Sequence, residues 1–334
     1  MEKVKTVVVG AGWVSQVIHL PLLVKMPEVQ LVALCDRDKA RVRLVGEKYN
    51  IPKLYSNLDE MLAKEECEAV LVCTSTDAHS AVTLAALKAG KDVLVEKPVA
   101  RTYAEAEAMA MAAKEHKRKL MVGMNHRFRP DTMILKSFID GKELGKVYYT
   151  RVGWLRKRSF DSSWITQKEK SGGGVFIDQG IMMLDMALWM MGYPEVARVT
   201  ASHYHHRTKN VEDTSIVALT LKNGATVNIE VSWSMYLDED YSYCYVHGSE
   251  GSASLQPLRI YKELHGNLVN LAPAKPEATQ SLFKRSYENE LRHFFGAVRN
   301  IHPTISTGDE AVQRMKVVEA VYKSAKRGRE VTLT

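Results

Sequence analysis

Cysteine is scarce: the 334 residues hold four, Cys35, Cys67, Cys73 and Cys244, and no two form a C-x-x-C pair. That scatter argues against a disulfide framework or a cysteine zinc site and suits a reducing compartment. Long apolar runs are missing as well. No stretch reaches the roughly 20 apolar residues that a membrane helix needs, so no membrane partner is expected. The start carries no leader pattern either, because Met1 is followed almost at once by Thr6-Val7-Val8-Val9-Gly10, a good first strand. These absences together predict a cytoplasmic protein. A basic arm, a zinc-finger spacing and an aromatic–glycine RNA signature are also lacking. The formal charge is +7, yet its cations are spread along the chain apart from short clusters such as Arg156-Lys157-Arg158. Nucleic acid is therefore not expected as a partner. His203, His205 and His206 have no nearby cysteine or carboxylate to complete a metal site, and no metal is expected.

What is present points to two domains, since 334 residues exceed one typical core. Up to about residue 125, short β-branched runs alternate with helical patterns. The runs are Val7–Val9, Leu31–Leu34, Val70–Cys73, Val93–Val95 and Leu120–Val122. Between them lie Trp13–Lys25, Lys39–Tyr49, Leu58–Lys64, His79–Ala89 and Tyr103–Lys117. Strand then helix, repeated, predicts a doubly wound parallel α/β sheet buried on both faces. After Asn125 the pattern changes. A helix over Asp131–Asp140 precedes a long strand, Lys146–Lys157, and another helix covers Asp178–Met191. Period-two alternation from Val196 to Leu255, with a hairpin turn at Lys222-Asn223-Gly224, predicts a large, mostly antiparallel sheet. Leu268–Gln280 reads as an irregular loop, and helices over Leu282–Arg299 and Asp309–Lys326 close the chain. The domains are expected at 1–124 and 125–334.

Gly10-Ala11-Gly12-Trp13-Val14-Ser15 follows the first strand and opens a helix. Gly10 permits the tight turn, Gly12 lets backbone approach a pyrophosphate, and the helix start at Trp13 and Val14 supplies N–H groups and a partial positive charge. Ser15 stands where a third glycine often does. Asp36 ends the second strand, 26 residues after Gly10, where a carboxylate accepts from ribose hydroxyls and repels a 2′-phosphate. That combination points to NAD. Arg37 and Arg41 leave NADP open, because a guanidinium can stack on adenine or bind the extra phosphate. Thr74, Ser75 and Thr76 follow the next strand, at the end where parallel sheets bind ligands. His79 joins them as a candidate coenzyme contact, although a histidine at a helix start is more often structural. Glu96-Lys97-Pro98 ends the following strand, where a lysine can donate to a substrate oxygen.

Taken in order, the glycine loop, Asp36, Thr74–His79, Glu96-Lys97-Pro98, Asn125-His126-Arg127-Phe128 and Gly172-Gly173-Gly174 through Asp178-Gln179-Gly180 closely resemble the glucose–fructose oxidoreductase/inositol dehydrogenase (Gfo/Idh/MocA) family. The resemblance implies a Rossmann domain, then an α/β domain whose open sheet often mediates homodimers or homotetramers. It implies hydride transfer between nicotinamide and a sugar, polyol or sugar-nucleotide carbon. By it, Lys97 contacts the nicotinamide ribose region and the reacting hydroxyl, and Asp178 is the companion acid.

One departure stands out. The family pattern G-G-G-x-x-x-D-x-G-x-H-x-x-D has Met182 where a catalytic histidine is usual. Asp178, Met182 and Asp185 fall on one helix face, and a thioether cannot exchange a proton. Trp154, Arg156 and Arg158 alternate at the end of a strand and could share a face suited to a sugar carrying phosphate or carboxylate. Trp164 is a further candidate substrate contact, as are Asn125, Arg127, Met182 and Asp185. The alternative to an NAD-dependent oxidoreductase is an NAD(H)-binding regulatory or scaffolding protein without dehydrogenase turnover.

Overall fold

Short aliphatic runs, apolar on both sides, form strands that are covered on both faces. In the computed structural model, which describes residues 2–157, 164–275 and 277–333, Val4–Val9 (β1), Val29–Cys35 (β2), Lys53–Tyr55 (β3), Ala69–Val72 (β4), Asp92–Val95 (β5) and Leu120–Val122 (β6) make one parallel sheet. Its order is β3-β2-β1-β4-β5-β6, which reverses at β1/β4 and opens a crevice at the strands' carboxyl ends. Val7, Val8, Leu34, Val70, Leu71, Val93 and Met121 fill its core. The sequence reading missed β3, a three-residue edge strand with little buried surface to mark it.

A π-helical turn, Ser15–His19, runs into α1 (Leu20–Leu23). Then come α2 (Lys39–Tyr49), α3 (Leu58–Lys64), α4 (Thr76–Lys88) and α5 (Tyr103–Glu115). Their boundaries follow from capping chemistry. Asp38 accepts the Arg41 N–H at 3.0 Å to start α2, and Asn50 ends it with a left-handed φ of 52°. Asn57 and Thr102 cap α3 and α5 in the same way.

The second sheet is built on Val147–Lys157 (β7), Val196–Tyr204 (β8), Thr214–Leu221 (β9), Thr226–Met235 (β10), Tyr241–Gly248 (β11), Gly251–Leu255 (β12), Arg259–Leu264 (β13), Asn267–Asn270 (β14) and Val331–Thr332 (β15). Its order is β14-β13-β12-β11-β7-β10-β9-β8-β15. The β7–β10 pair is parallel, and the other adjacent pairs are antiparallel. Lys222–Gly224 turns β9 into β10 as expected. The stretch from 268 was expected to be irregular, yet its first residues pair with β13, because a hairpin at His265-Gly266 returns the chain. Helices α6 (Pro130–Asp140), α7 (Lys168–Ser171), α8 (Ile181–Met190), α9 (Thr279–Val298) and α10 (Gly308–Arg327) complete the chain. A second π-helical turn, Phe176–Gly180, leads directly into α8.

The chain divides into two compact units, Met1–Met124 with Tyr287–Val312, and Asn125–Ser286 with Gln313–Thr334. The sequence reading drew one boundary, near 124. The returning segment is tied to the first sheet where Ser306 accepts the Val122 N–H at 2.9 Å and gives its hydroxyl to the Val122 carbonyl at 2.8 Å. Among the described residues, no helix is long and apolar enough to cross a membrane.

Candidate functional site

In the first unit the glycine loop is shaped by close approach. A Cβ on Gly10 would lie 2.5 Å from the Cys73 carbonyl oxygen, and its φ of +100° already favours glycine. At Gly12 the same test finds nothing nearer than 4.0 Å, so its surface is open. The Ala11 N–H donates to Asp36 Oδ2 at 2.7 Å, which binds the loop to the end of β2. Asp36 Oδ1 accepts the Asp38 N–H at 2.9 Å. Arg41 reaches Asp38 at 3.1 Å and Asp36 at 3.8 Å, and Arg37 is exposed. Trp13 is 70% exposed beside the helix start, and Val14 is half-buried. First-turn N–H groups with no intrahelical acceptor, an open glycine surface and a carboxylate at the end of β2 are what a pyridine dinucleotide requires. The residues fit that group.

The ends of β4 and β5 carry the rest of this cluster. Thr74 and Ser75 are half-buried, and Thr76 is buried at the start of α4. Ser75 gives its hydroxyl to Asp77 at 2.5 Å. His79 is buried, with Nδ1 at 2.8 Å from the Pro98 carbonyl and Nε2 at 3.0 Å from that of Thr74. Burial holds its pKa low despite both carbonyls. His79 was expected at the coenzyme; the structure instead uses it to join the ends of β4 and β5, and no ring nitrogen is left for a ligand. Glu96 Oε1 meets His19 Nε2 at 2.7 Å. Burial alone would raise the Glu96 carboxyl; the His19 hydrogen bond, with the Lys97 charge, brings it below the usual carboxylate range. Lys97 is half-buried, and its N–H donates to Glu96 Oε2 at 3.2 Å. His19 was missed by the sequence reading, although a lone histidine within Val17-Ile18-His19-Leu20 is a visible signal. Tyr287 meets the His19 ring edge-on at 5.9 Å, and burial raises its phenol well above the ordinary value.

In the second unit, Asp178 sits half-buried on the π-helical turn and accepts from Trp233 Nε1 at 3.2 Å. Met182, one turn on, is buried. Asp185 was expected to face substrate with Arg127. The structure corrects both: Arg127 Nε and Nη2 donate to Asp185 at 2.7 and 2.5 Å, inside the unit. Arg314 and the Tyr193 hydroxyl add donors at 2.6 and 2.7 Å. Burial opposes the charge on Asp185, but the two guanidiniums prevail and bring its pKa to about 2. Asn125 is corrected too, being buried with Nδ2 on Ser286 at 2.9 Å.

Trp154 tilts over His126, with centroids 5.5 Å apart. Both line a cleft of about 850 Å³ with Tyr241, Glu239, Asp240 and Phe283. Arg156 is not offered to an anion as expected, because Asp240 takes it at 3.2 Å. Arg158 lies outside the described residues. Trp164 is exposed. Among the described residues, no group of three histidines, cysteines or carboxylates could hold a metal ion.

Comparison with known proteins bears on both units. Residues 4–124 match a family model described as oxidoreductase family, NAD-binding Rossmann fold. Residues 136–333 match its partner, the C-terminal alpha/beta domain of that oxidoreductase family. The chain is similar to D-glucoside 3-dehydrogenase of Escherichia coli (strain K12), at 29% identity over 98% of this chain and 97% of the relative. It is 27% identical to myo-inositol 2-dehydrogenase of Thermotoga maritima, over 98% and 97% of the two chains. Among solved structures, GenD2 from gentamicin A biosynthesis in complex with NAD superposes with a TM-score of 0.87 at 28% identity, covering 100% of this chain and 97% of the other.

Proposed function

The chain belongs to the Gfo/Idh/MocA oxidoreductase family, and from that premise we propose that it moves a hydride between NAD and a hydroxyl-bearing carbon of a sugar or polyol. One observation carries the coenzyme half: the Ala11 N–H bound to Asp36 Oδ2, which sets an open glycine loop against a carboxylate. Gly10, Gly12, Trp13 and Val14 would meet the pyrophosphate side, Asp36 the adenosine ribose, and Thr74, Ser75 and Thr76 the crevice rim. Asp36 favours NAD over NADP, and Arg41, turned onto Asp36 and Asp38, reinforces the choice. The coenzyme, when bound, supplies the hydride acceptor or donor.

The chain's own work is proton handling and orientation. Oxidising a secondary alcohol breaks one C–H and one O–H bond. With a bound coenzyme to take the hydride, Lys97, in its amine form, would take the hydroxyl proton at Nζ. Glu96, locked to His19, holds the β5 end from which Lys97 projects. Asp178 accepts from the substrate hydroxyls that orient the reacting carbon, its own position fixed by Trp233. Met182 takes no proton, so in this reading the relay rests on Lys97 and Asp178. The cleft at Trp154 mixes aromatic rings with carboxylates and with the cations Arg129 and Lys275, a lining suited to a polar sugar. The similarity to a glucoside dehydrogenase and an inositol dehydrogenase agrees with that substrate class. We place this activity in the cytoplasm and in a homodimer or homotetramer.

The test is turnover of NAD and NADP across polyols, aldoses, uronates and glycosides, read at the reduced-nicotinamide band. Lys97→Ala should cut kcat by at least about 100-fold, the scale of a lost general base, a loss well beyond any change in NAD affinity measured by calorimetry. Tight NAD binding without turnover on any panel member would favour a regulatory NAD(H)-binding protein instead.

A further inference from the structure

Two glycines before α8 have no conformational reason to be glycine, since neither Gly173 nor Gly174 has a positive φ. Space is the reason. A Cβ on Gly173 would lie 2.0 Å from the Tyr322 hydroxyl, and one on Gly174 would lie 2.0 Å from the Glu212 carbonyl oxygen. Both neighbours press on the start of the helix that carries Asp178.

Glu212 is 2% exposed and far in sequence from that helix, yet it gathers the helix's opening N–H groups. Its carboxylate accepts Gly174 N–H at 3.1 Å and Phe176 N–H at 2.9 Å, and its carbonyl accepts Val175 N–H at 2.9 Å. The Tyr322 hydroxyl donates to Oε1 at 2.7 Å and so holds the carboxylate from behind. Among the described residues, no lysine or arginine pairs with Glu212; a buried carboxylate here is held by N–H and O–H donors and by the positive end of a helix. The adjoining residue reaches the other side of Asp178. The Asp213 carbonyl accepts the Trp233 N–H at 2.9 Å, and Trp233 Nε1 is the donor to Asp178. Two successive residues thus hold the helix that bears Asp178 and the indole that grips it.

We infer that Glu212, backed by Tyr322, is a positioning residue that sets Asp178 against the Trp233 indole. Its bearing on catalysis rests on the role proposed above for Asp178; the placement of the carboxylate does not. The test reads both. Glu212→Gln keeps shape but turns an amide donor toward N–H donors, and Tyr322→Phe removes the backing hydroxyl with less risk to folding. The indole ¹H–¹⁵N resonance of Trp233, assigned by its loss in Trp233→Phe, reports the Asp178 contact without turnover. Asp178→Asn supplies the reference displacement. Both positioning variants should move that resonance in the direction of Asp178→Asn, at unchanged NAD affinity. Turnover should fall roughly 10- to 100-fold in kcat for Glu212→Gln, the scale of a misplaced group. An unmoved resonance in folded Tyr322→Phe and Glu212→Gln overturns the inference. A moved resonance with turnover intact in Asp178→Asn keeps the positioning and sinks the catalytic role of Asp178.

Discussion

Asp185 shows how a residue that looks reactive in a sequence can be spent on structure. Its carboxylate lies between two buried guanidiniums, and the Arg127 guanidinium also sits over the rings of Tyr193 and Trp189 at 5.2 and 5.6 Å. Removing the acid leaves two buried cations facing one another. Asp185→Ala should therefore lower stability by about 3–5 kcal/mol, the range for breaking a buried pair, and urea unfolding measures it. The same group gives a pH dependence. Its folded pKa is depressed from 3.8 to about 2, so its stabilisation is present above pH 4 and is lost as pH falls toward 2. By linkage the loss is about 2 kcal/mol, and it should vanish from the acid limb of the stability curve in Asp185→Ala. Met182 is the contrasting case. Met182→Leu conserves volume at a buried site and removes no titrating group, so kcat should stay within about threefold and stability within about 1.5 kcal/mol. A collapse of turnover in a folded Met182→Leu protein would give the thioether a role that the proposed mechanism lacks.

At the scale of elements, the turn from β1 into the first helix is tightly constrained. Gly10→Ala places a methyl 2.5 Å from the Cys73 carbonyl and forces an alanine to φ +100°. The backbone must shift. The expected outcome is a stability loss above about 1 kcal/mol in thermal unfolding, with NAD affinity in calorimetry falling further than stability does. Gly12→Ala meets no neighbour inside 4.0 Å and should spare stability while weakening NAD binding. The same elements explain what the sequence made legible. Buried strands such as Ala69–Val72 are unbroken aliphatic runs, and α2 is bracketed by Asp38 and Asn50, so their limits could be read locally. β3, β13, β14 and β15 are short, lie at or near sheet edges and carry polar residues, and they escaped that logic. The glycine loop and Asp36 were legible because they act through backbone geometry at fixed spacing. The His19–Glu96 and Glu212–Tyr322 pairs were not, for their members meet only after β-strands and helices have brought distant segments together. Arg127 and Asp185 misled for the same reason, since nothing in sequence shows that two charged residues face each other in a core.

At the scale of the molecule, the nine-stranded sheet raises the question of what covers its second face. Register puts Tyr245, Arg151, Asn228, Ala218 and Thr200 in one row across five strands. Tyr243, Gly153, Glu230, Ile216 and Ser202 form the next. Residues of the opposite face, such as Val152, Val246, Ile229 and Val217, are buried, whereas Ile216 and Tyr245 on this one are exposed. Gly153 leaves room for the Tyr243 ring, over which Arg151 lies at 5.0 Å, so aromatic and charged groups share this face. In the homodimer or homotetramer proposed above, the exposed Ile216 and Tyr245 of this face would be covered, and Arg151 and Glu230, 3.7 Å apart within the chain, would lie at that contact. Ile216→Asp would place a new carboxylate in the middle of that contact and beside Glu230. Sedimentation should then shift from dimer or tetramer to monomer, with the thermal midpoint made dependent on protein concentration in the parent and independent of it in the variant. A parent that sediments as a monomer at all concentrations would remove the oligomer from the proposal and leave the coenzyme site untouched.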